Sequence, residues 1–227
     1  MRGLIEGDGV RNQRRRSNRM RDRHVDFGAP ELVVRNGGRM FRSIEAHYVS
    51  QRGGGVIGVY EDRLSGLRDL LCHARGASVL DIGTNHGLIA FEFARYGAAL
   101  VHGCDIHMHG VNAAREIFTE VRTPSRFEVV DLAEGPTALE TGFGQDYLSR
   151  YDIVLFLGVY HKLKEQSSDH VIAELIRYLV DRAARFFVIR TGMIGELGMI
   201  LAKTELHKVH FSALSSVVGP TEIWQRN

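Results

Sequence analysis

The chain has 227 residues, a formal net charge of +2, 44% hydrophobic and 25% charged residues, the composition of an ordinary soluble globular protein built as one domain with an appendage. No apolar run approaches the ~18 residues that cross a membrane, and no apolar h-region marks a secretory signal, so the expected location is cytoplasmic. Cys72 and Cys104 form no C-x-x-C pair and read as buried thiols in a reducing compartment.

The charge is unevenly spread. Residues 1–24 carry eight arginines against three acids, or +5, which leaves 2 − 5 = −3 for the rest. This segment has no apolar periodicity. It reads either as a nucleic-acid arm, through residues 11–23, or as a solvated tail. An Arg-rich transit peptide fits less well, because Asp8 and Asp22 interrupt the charge. Residues 25–59 are irregular, punctuated by Gly28, Pro30, Gly37-Gly38 and Gly53-Gly54-Gly55. They are expected to pack over the ligand edge of the domain that follows, residues 60–227.

Tyr60, Leu64, Leu67 and Leu71 predict an amphipathic helix over 60–75. Val79-Leu80 then lead into Asp81-Ile82-Gly83-Thr84-Asn85-His86-Gly87, followed by a helix with Ile89, Phe93 and Tyr96 on one side. Strand, tight glycine turn and helix open a nucleotide-binding α/β sheet. The spacing lacks the third glycine of the dinucleotide fingerprint G-x-G-x-x-G, which counts against a nicotinamide oxidoreductase. Residues 100–104 read as a second strand ending at Asp105, 18 residues after Gly87. An acid there accepts hydrogen bonds from ribose hydroxyls; capping the next helix is its structural alternative. Val111, Ala114, Phe118 and Val121 mark a helix, and residues 127–130 a third strand ending at Asp131-Leu132. Residues 133–149 give no clear pattern.

Residues 151–157 form a nearly unbroken apolar run, as a central parallel strand does. Gly158-Val159-Tyr160-His161-Lys162-Leu163 follow it. A helix face through Val171, Ile172, Leu175, Ile176 and Leu179 comes next. Residues 185–191 read as a fifth strand, 196–206 as a helix, and 208–215 with 221–225 as a closing hairpin.

The stretch Asp81-x-Gly83-x-Asn85-x-Gly87, with Asp105 and Asp131 after it, resembles the class I S-adenosylmethionine-dependent methyltransferases. Asn85 replaces the middle glycine of their acid-x-G-x-G-x-G motif, and asparagine tolerates positive φ. The resemblance implies a doubly wound, mostly parallel, seven-stranded Rossmann-like sheet with an antiparallel C-terminal hairpin. It implies S-adenosylmethionine as cofactor and S-adenosylhomocysteine as product. The cofactor residues it implies are Asp81, Gly83, Thr84, Asn85, His86, Gly87, Asp105, Ile106, Asp131, Leu132, Leu157 and Gly158, with Asp131 beside the adenine amino group.

The loop after the fourth strand lacks the [N/D]-P-P-[Y/F] sequence of enzymes that methylate nucleobase amines or glutamine amides. Its GVYHKL resembles the loop of wobble-uridine carboxymethyltransferases that act on tRNA and of small-molecule O-methyltransferases. His161 is the candidate general base, since neutral imidazole is available near pH 7. Tyr160 and Arg190 are candidate substrate residues, and an arginine fork would favour a carboxylate or phosphate. Packing under the cofactor for His161, and pairing with Glu196 for Arg190, are the structural alternatives. His102, His107 and His109 lack a metal-binding spacing, and no metal is expected. The favoured reading is O-methylation of a small, anionic acceptor, without a membrane partner. The rivals are an RNA-directed methyltransferase using the arginine arm and a cofactor-binding protein without transfer activity.

Overall fold

The computed structural model describes residues 63–213 and 219–227; the Arg-rich segment 1–24 and the segment 25–59 lie outside the described residues. A short helix, α1 (Arg68–Leu71), precedes β1 (Ser78–Ile82). Then α2 (Leu88–Arg95), β2 (Leu100–Asp105), α3 (Met108–Phe118) and β3 (Ser125–Val129) alternate. After α4 (Thr137–Phe143) come β4 (Tyr151–Leu157), α5 (Tyr160–Gln166), α6 (Asp169–Arg182) and β5 (Ala183–Arg190). A last helix, α7 (Ile194–Leu201), leads into β6 (Leu206–Ser212) and β7 (Thr221–Arg226).

The seven strands form one sheet in the order β3-β2-β1-β4-β5-β7-β6. β1 to β5 pair in parallel, and β7 pairs antiparallel with both β5 and β6. Strand order reverses between β1 and β4, so the cleft outside their carboxyl ends is the ligand position of such sheets. Ser78 fixes the pairing where these strands begin. Its main-chain N–H and hydroxyl both donate to Asp152 Oδ2, at 2.8 and 2.9 Å. A one-residue slip would break that contact and turn every side chain to the wrong face.

Period-two alternation sorts the strands between two buried layers. Val79, Ile153 and Leu155 face α2 and α3, where Phe91, Phe93, Ala114 and Ile117 meet them. Leu80, Ile82, Val154 and Phe156 face the other way, against Leu163, Ile172, Leu175, Ile176 and Leu179. Each fully buried aliphatic side chain of this kind contributes about 1.5–3 kcal/mol. Ser168 caps α6 by accepting from Val171 N–H, and the stripe behind it faces the sheet as the spacing predicts.

Three segments differ from the sequence expectation. Helix α1 is only Arg68–Leu71, because Gly66 sits at φ 75° against the C-terminal hairpin. A Cβ there would lie 2.8 Å from that of Ser212 and 3.0 Å from that of Thr221. The last helix begins and ends earlier, at Ile194–Leu201, and Leu206 already belongs to β6. The patternless stretch 133–149 contains α4, anchored by the buried Leu139 and Phe143. Phe143 stacks on His102, whose Nδ1 lies 2.7 Å from Tyr151 Oη. Cys104 is buried as expected, but Cys72 is exposed. Among the described residues, no helix is long and apolar enough to cross a membrane, and no group of side chains is set to hold a metal ion.

Candidate active site

The turn after β1 depends on backbone conformations that few residues tolerate. Gly83 has φ 74°, and a Cβ on it would come 2.2 Å from Val159 Cγ2, so the loops after β1 and β4 press together at this glycine. Asn85 has φ 48° and is the one non-glycine residue with positive φ among the described residues. Gly87, at φ 70°, starts α2 and lets α3 approach; a Cβ there would lie 2.8 Å from that of Ala114.

Two carboxylates organise this loop. Asp105 Oδ2 accepts from Asn85 N–H and Oδ1 from His107 N–H, both at 2.9 Å. Each carboxylate oxygen has two lone pairs, so the side chain keeps acceptor capacity while joining the glycine loop to the start of α3. Asp105 therefore does what the structural alternative expects, fixing the backbone at the start of α3, and it also lines the cavity. Asp81 is buried and accepts from Thr84 Oγ1 at 2.8 Å. Burial pushes its carboxyl up to about 7, against the opposing hydrogen bond from Thr84. Asp131 accepts from Ala133 N–H at 2.9 Å at the first turn after β3.

A cavity of about 460 Å³ lies over the carboxyl ends of β1, β2, β4 and β5. Of the residues singled out in the sequence, Asp81, Gly83, Thr84, Asn85, Asp105, Ile106, Asp131, Leu132, Leu157, Gly158, His161 and Arg190 line it. His86, Gly87 and Tyr160 do not. His86 is buried and meets His109 edge-on at 5.5 Å. Tyr160 is buried beneath the loop, where its hydroxyl donates to Glu196 Oε1 at 2.8 Å; burial and that neighbouring carboxylate push its pKa up to about 12. Sequence reasoning missed Arg63, Gln166 and Gly219, which also line the cavity. No motif marks them; Gln166 could be found only by extending the helix after GVYHKL by one turn.

Arg190 lines the cavity from the end of β5, yet its guanidinium is engaged elsewhere. Nε donates to Thr221 Oγ1 at 2.8 Å, Nη1 to the Arg63 carbonyl at 2.8 Å and Nη2 to the Ser65 carbonyl at 2.7 Å. Burial, with the charge of Arg63 nearby, brings its pKa down to about 10. Glu196, the partner considered from sequence, instead accepts from Tyr160 and Lys164.

Charges of both signs line the cavity. The lining acids, Asp81, Asp105 and Asp131, come from β1 or the ends of β2 and β3. The lining lysine and arginines come from other segments: Lys162 from the first turn of α5, beside the exposed His161, Arg190 from the end of β5, where its charge reaches Asp81, and Arg63 from the chain ahead of α1.

Five parallel strands closed by an antiparallel hairpin, in the order β3-β2-β1-β4-β5-β7-β6, are the architecture of the class I methyltransferase fold. Residues 79–182 match the family model described as Methyltransferase domain. No curated protein sequence matches the chain. Among solved structures, a TehB-like SAM-dependent methyltransferase from Corynebacterium glutamicum is 16% identical with a TM-score of 0.53, covering 81% of this chain and 95% of that one. Magnesium protoporphyrin IX methyltransferase from Synechocystis, with bound SAH, is 18% identical at a TM-score of 0.50, covering 88% and 95%. WbdD, co-crystallised with a kinase inhibitor, is 20% identical at 0.51, covering 69% of this chain; this chain spans only 38% of WbdD. At these identities the likeness is one of fold.

The cofactor of this class is S-adenosylmethionine, and the donor set suits it. Asp105 would hold the ribose hydroxyls through its remaining lone pairs, and Asp131, Leu132 and Ile106, 45% exposed, would flank the base.

Proposed function

We propose that this protein transfers the methyl group of S-adenosylmethionine to an oxygen of a small anionic acceptor. The observation that carries the proposal is the positive charge on the cavity wall: Lys162 lines it one residue after His161, and Arg63 and Arg190 line it as well, while the lining acids come from β1 and the ends of β2 and β3. When bound, the cofactor supplies an electrophilic sulfonium methyl. The protein's task is then alignment, which accounts for a large part of the barrier in such displacements. His161 takes the acceptor's hydroxyl proton as its oxygen takes the methyl. Its place in the cavity wall, two residues after the Val159 that presses against Gly83, supports that role.

The eight arginines of residues 1–24 favour a second reading, transfer to RNA. Labelled cofactor offered to carboxylate- and phosphate-bearing metabolites and, separately, to tRNA tests both. Label in a small acceptor, lost in His161→Ala from about pH 6 to 9, supports the proposal. Full turnover by His161→Ala removes the base assignment. Label in tRNA alone replaces the small acceptor with RNA.

A further inference from the structure

We infer that Lys162 and Gln166, one turn apart on α5, form the subsite that grips the acceptor's carboxylate or phosphate, and that Arg190 belongs to the framework of the cavity wall. This rests on the proposed function, because it takes the acceptor to lie beside α5.

Arg190 is the obvious anion ligand by residue type, and its geometry argues against that role. A guanidinium grips an anion through two parallel N–H groups. Here Nη1 and Nη2 already donate to the carbonyls of Arg63 and Ser65, and Nε donates to Thr221. The residue is 6% exposed. Turning the fork onto a ligand would give up these three bonds, one of them buried and two part-buried, a loss that offsets the new bonds. The Arg190 carbonyl also accepts from Gly158 N–H at 2.8 Å. One residue thus ties together the chain entering the domain, the loop after β4 and the start of β7.

Lys162 is placed differently. It lines the cavity, and its ammonium pairs with Glu165 at 3.2 Å, with both side chains 62% exposed. Such a pair contributes little and exchanges readily. An ammonium on a flexible stem suits an anion whose exact position varies. Gln166, four residues on, shares the same helix face. Its amide makes no hydrogen bond among the described residues, and it too lines the cavity. Lys162 supplies charge and Gln166 a directional N–H donor, on either side of the buried Leu163. The lining acids come from β1 and the ends of β2 and β3, and none from α5.

The test uses the full chain saturated with S-adenosylhomocysteine. It is titrated with inorganic phosphate in one arm and acetate in the other, while side-chain NMR signals of Lys162 and Gln166 are followed. We expect saturable shifts at both residues in at least one arm, and the stronger arm identifies the anion's class. Lys162→Met should weaken that binding about tenfold or more, the loss of one charge-assisted hydrogen bond. Arg190→Lys should leave it within about twofold; should that variant not fold, Thr221→Val, which removes only the Nε acceptor, takes its place with the same expectation. Absence of a response on α5 in both arms, or unchanged binding in Lys162→Met, overturns the inference. Loss of anion binding in the Arg190 or Thr221 variant with retention in Lys162→Met overturns it as well. Failure of S-adenosylhomocysteine to saturate the wild type would overturn the cofactor reading instead, which keeps the two failures apart.

Discussion

The main-chain N–H of Asn85 donates to Asp105 Oδ2 at 2.9 Å while Asn85 holds φ at 48°. The strained residue of the glycine loop and the acid at the end of β2 are therefore one unit. The carboxylate that faces the cavity is also what holds the loop in shape. Asp105→Ala should weaken S-adenosylhomocysteine binding by roughly 1.5–3 kcal/mol, the range for hydrogen bonds to a charged group. Calorimetry on the folded variant decides; an unchanged dissociation constant would take Asp105 out of the site.

Asn85 makes a second prediction from the same contact. Asn85→Gly should melt within a few degrees of wild type, because glycine adopts positive φ freely. Asn85→Val should lose about 1–2 kcal/mol, since a β-branched side chain is crowded in the left-handed region. Equal melting of the two variants would mean that the backbone has moved away from this conformation.

The buried Asp81 makes stability depend on pH. Its folded pKa is about 7 against an ordinary 3.8, so the folded state holds a proton that the unfolded chain releases. That contribution is full below about pH 4 and is lost as pH rises through 7. His102 acts in the opposite sense. Burial lowers its pKa below the usual 6.5, so the protein loses stability as pH falls below that value, where the unfolded chain binds a proton the fold refuses. Between about pH 5 and 8, cofactor-free wild type should lose melting temperature relative to Asp81→Asn as pH rises. Parallel pH profiles for the two proteins would show that Asp81 ionises in the fold as easily as in water.

The arginine-rich segment yields a prediction from sequence alone. Residues 1–24 have no apolar periodicity, so their deletion should leave the melting temperature and S-adenosylhomocysteine affinity unchanged. If the segment binds RNA, its deletion should also flatten the salt dependence of that binding. A truncated chain that melts much earlier would make the segment part of the fold.

The sheet was legible because each parallel strand carries its own signal. Residues 151–157 are apolar but for Asp152, and the acids at 81, 105 and 131 mark the ends of the first three strands. The glycine loop could be read to the residue, Asn85 included, because positive φ narrows the choice of side chain. Helix α4 was not legible: it buries only Leu139 and Phe143, and glycines flank its last turn. The break in the helix before β1 escaped notice because Gly66 is required by the hairpin about 150 residues later in the chain, a contact that no local pattern records. Arg190 was placed correctly at the cavity but given the wrong partners, since main-chain carbonyls leave no trace in a sequence.

Titration of the full chain with S-adenosylhomocysteine and, separately, with NAD, followed by calorimetry, tests the central claim most directly. The arrangement of Asp81, Asp105 and Asp131 around one cavity predicts a single S-adenosylhomocysteine site per chain, weakened in Asp105→Ala, and no saturable response to NAD. Saturation by NAD without any binding of S-adenosylhomocysteine would contradict it.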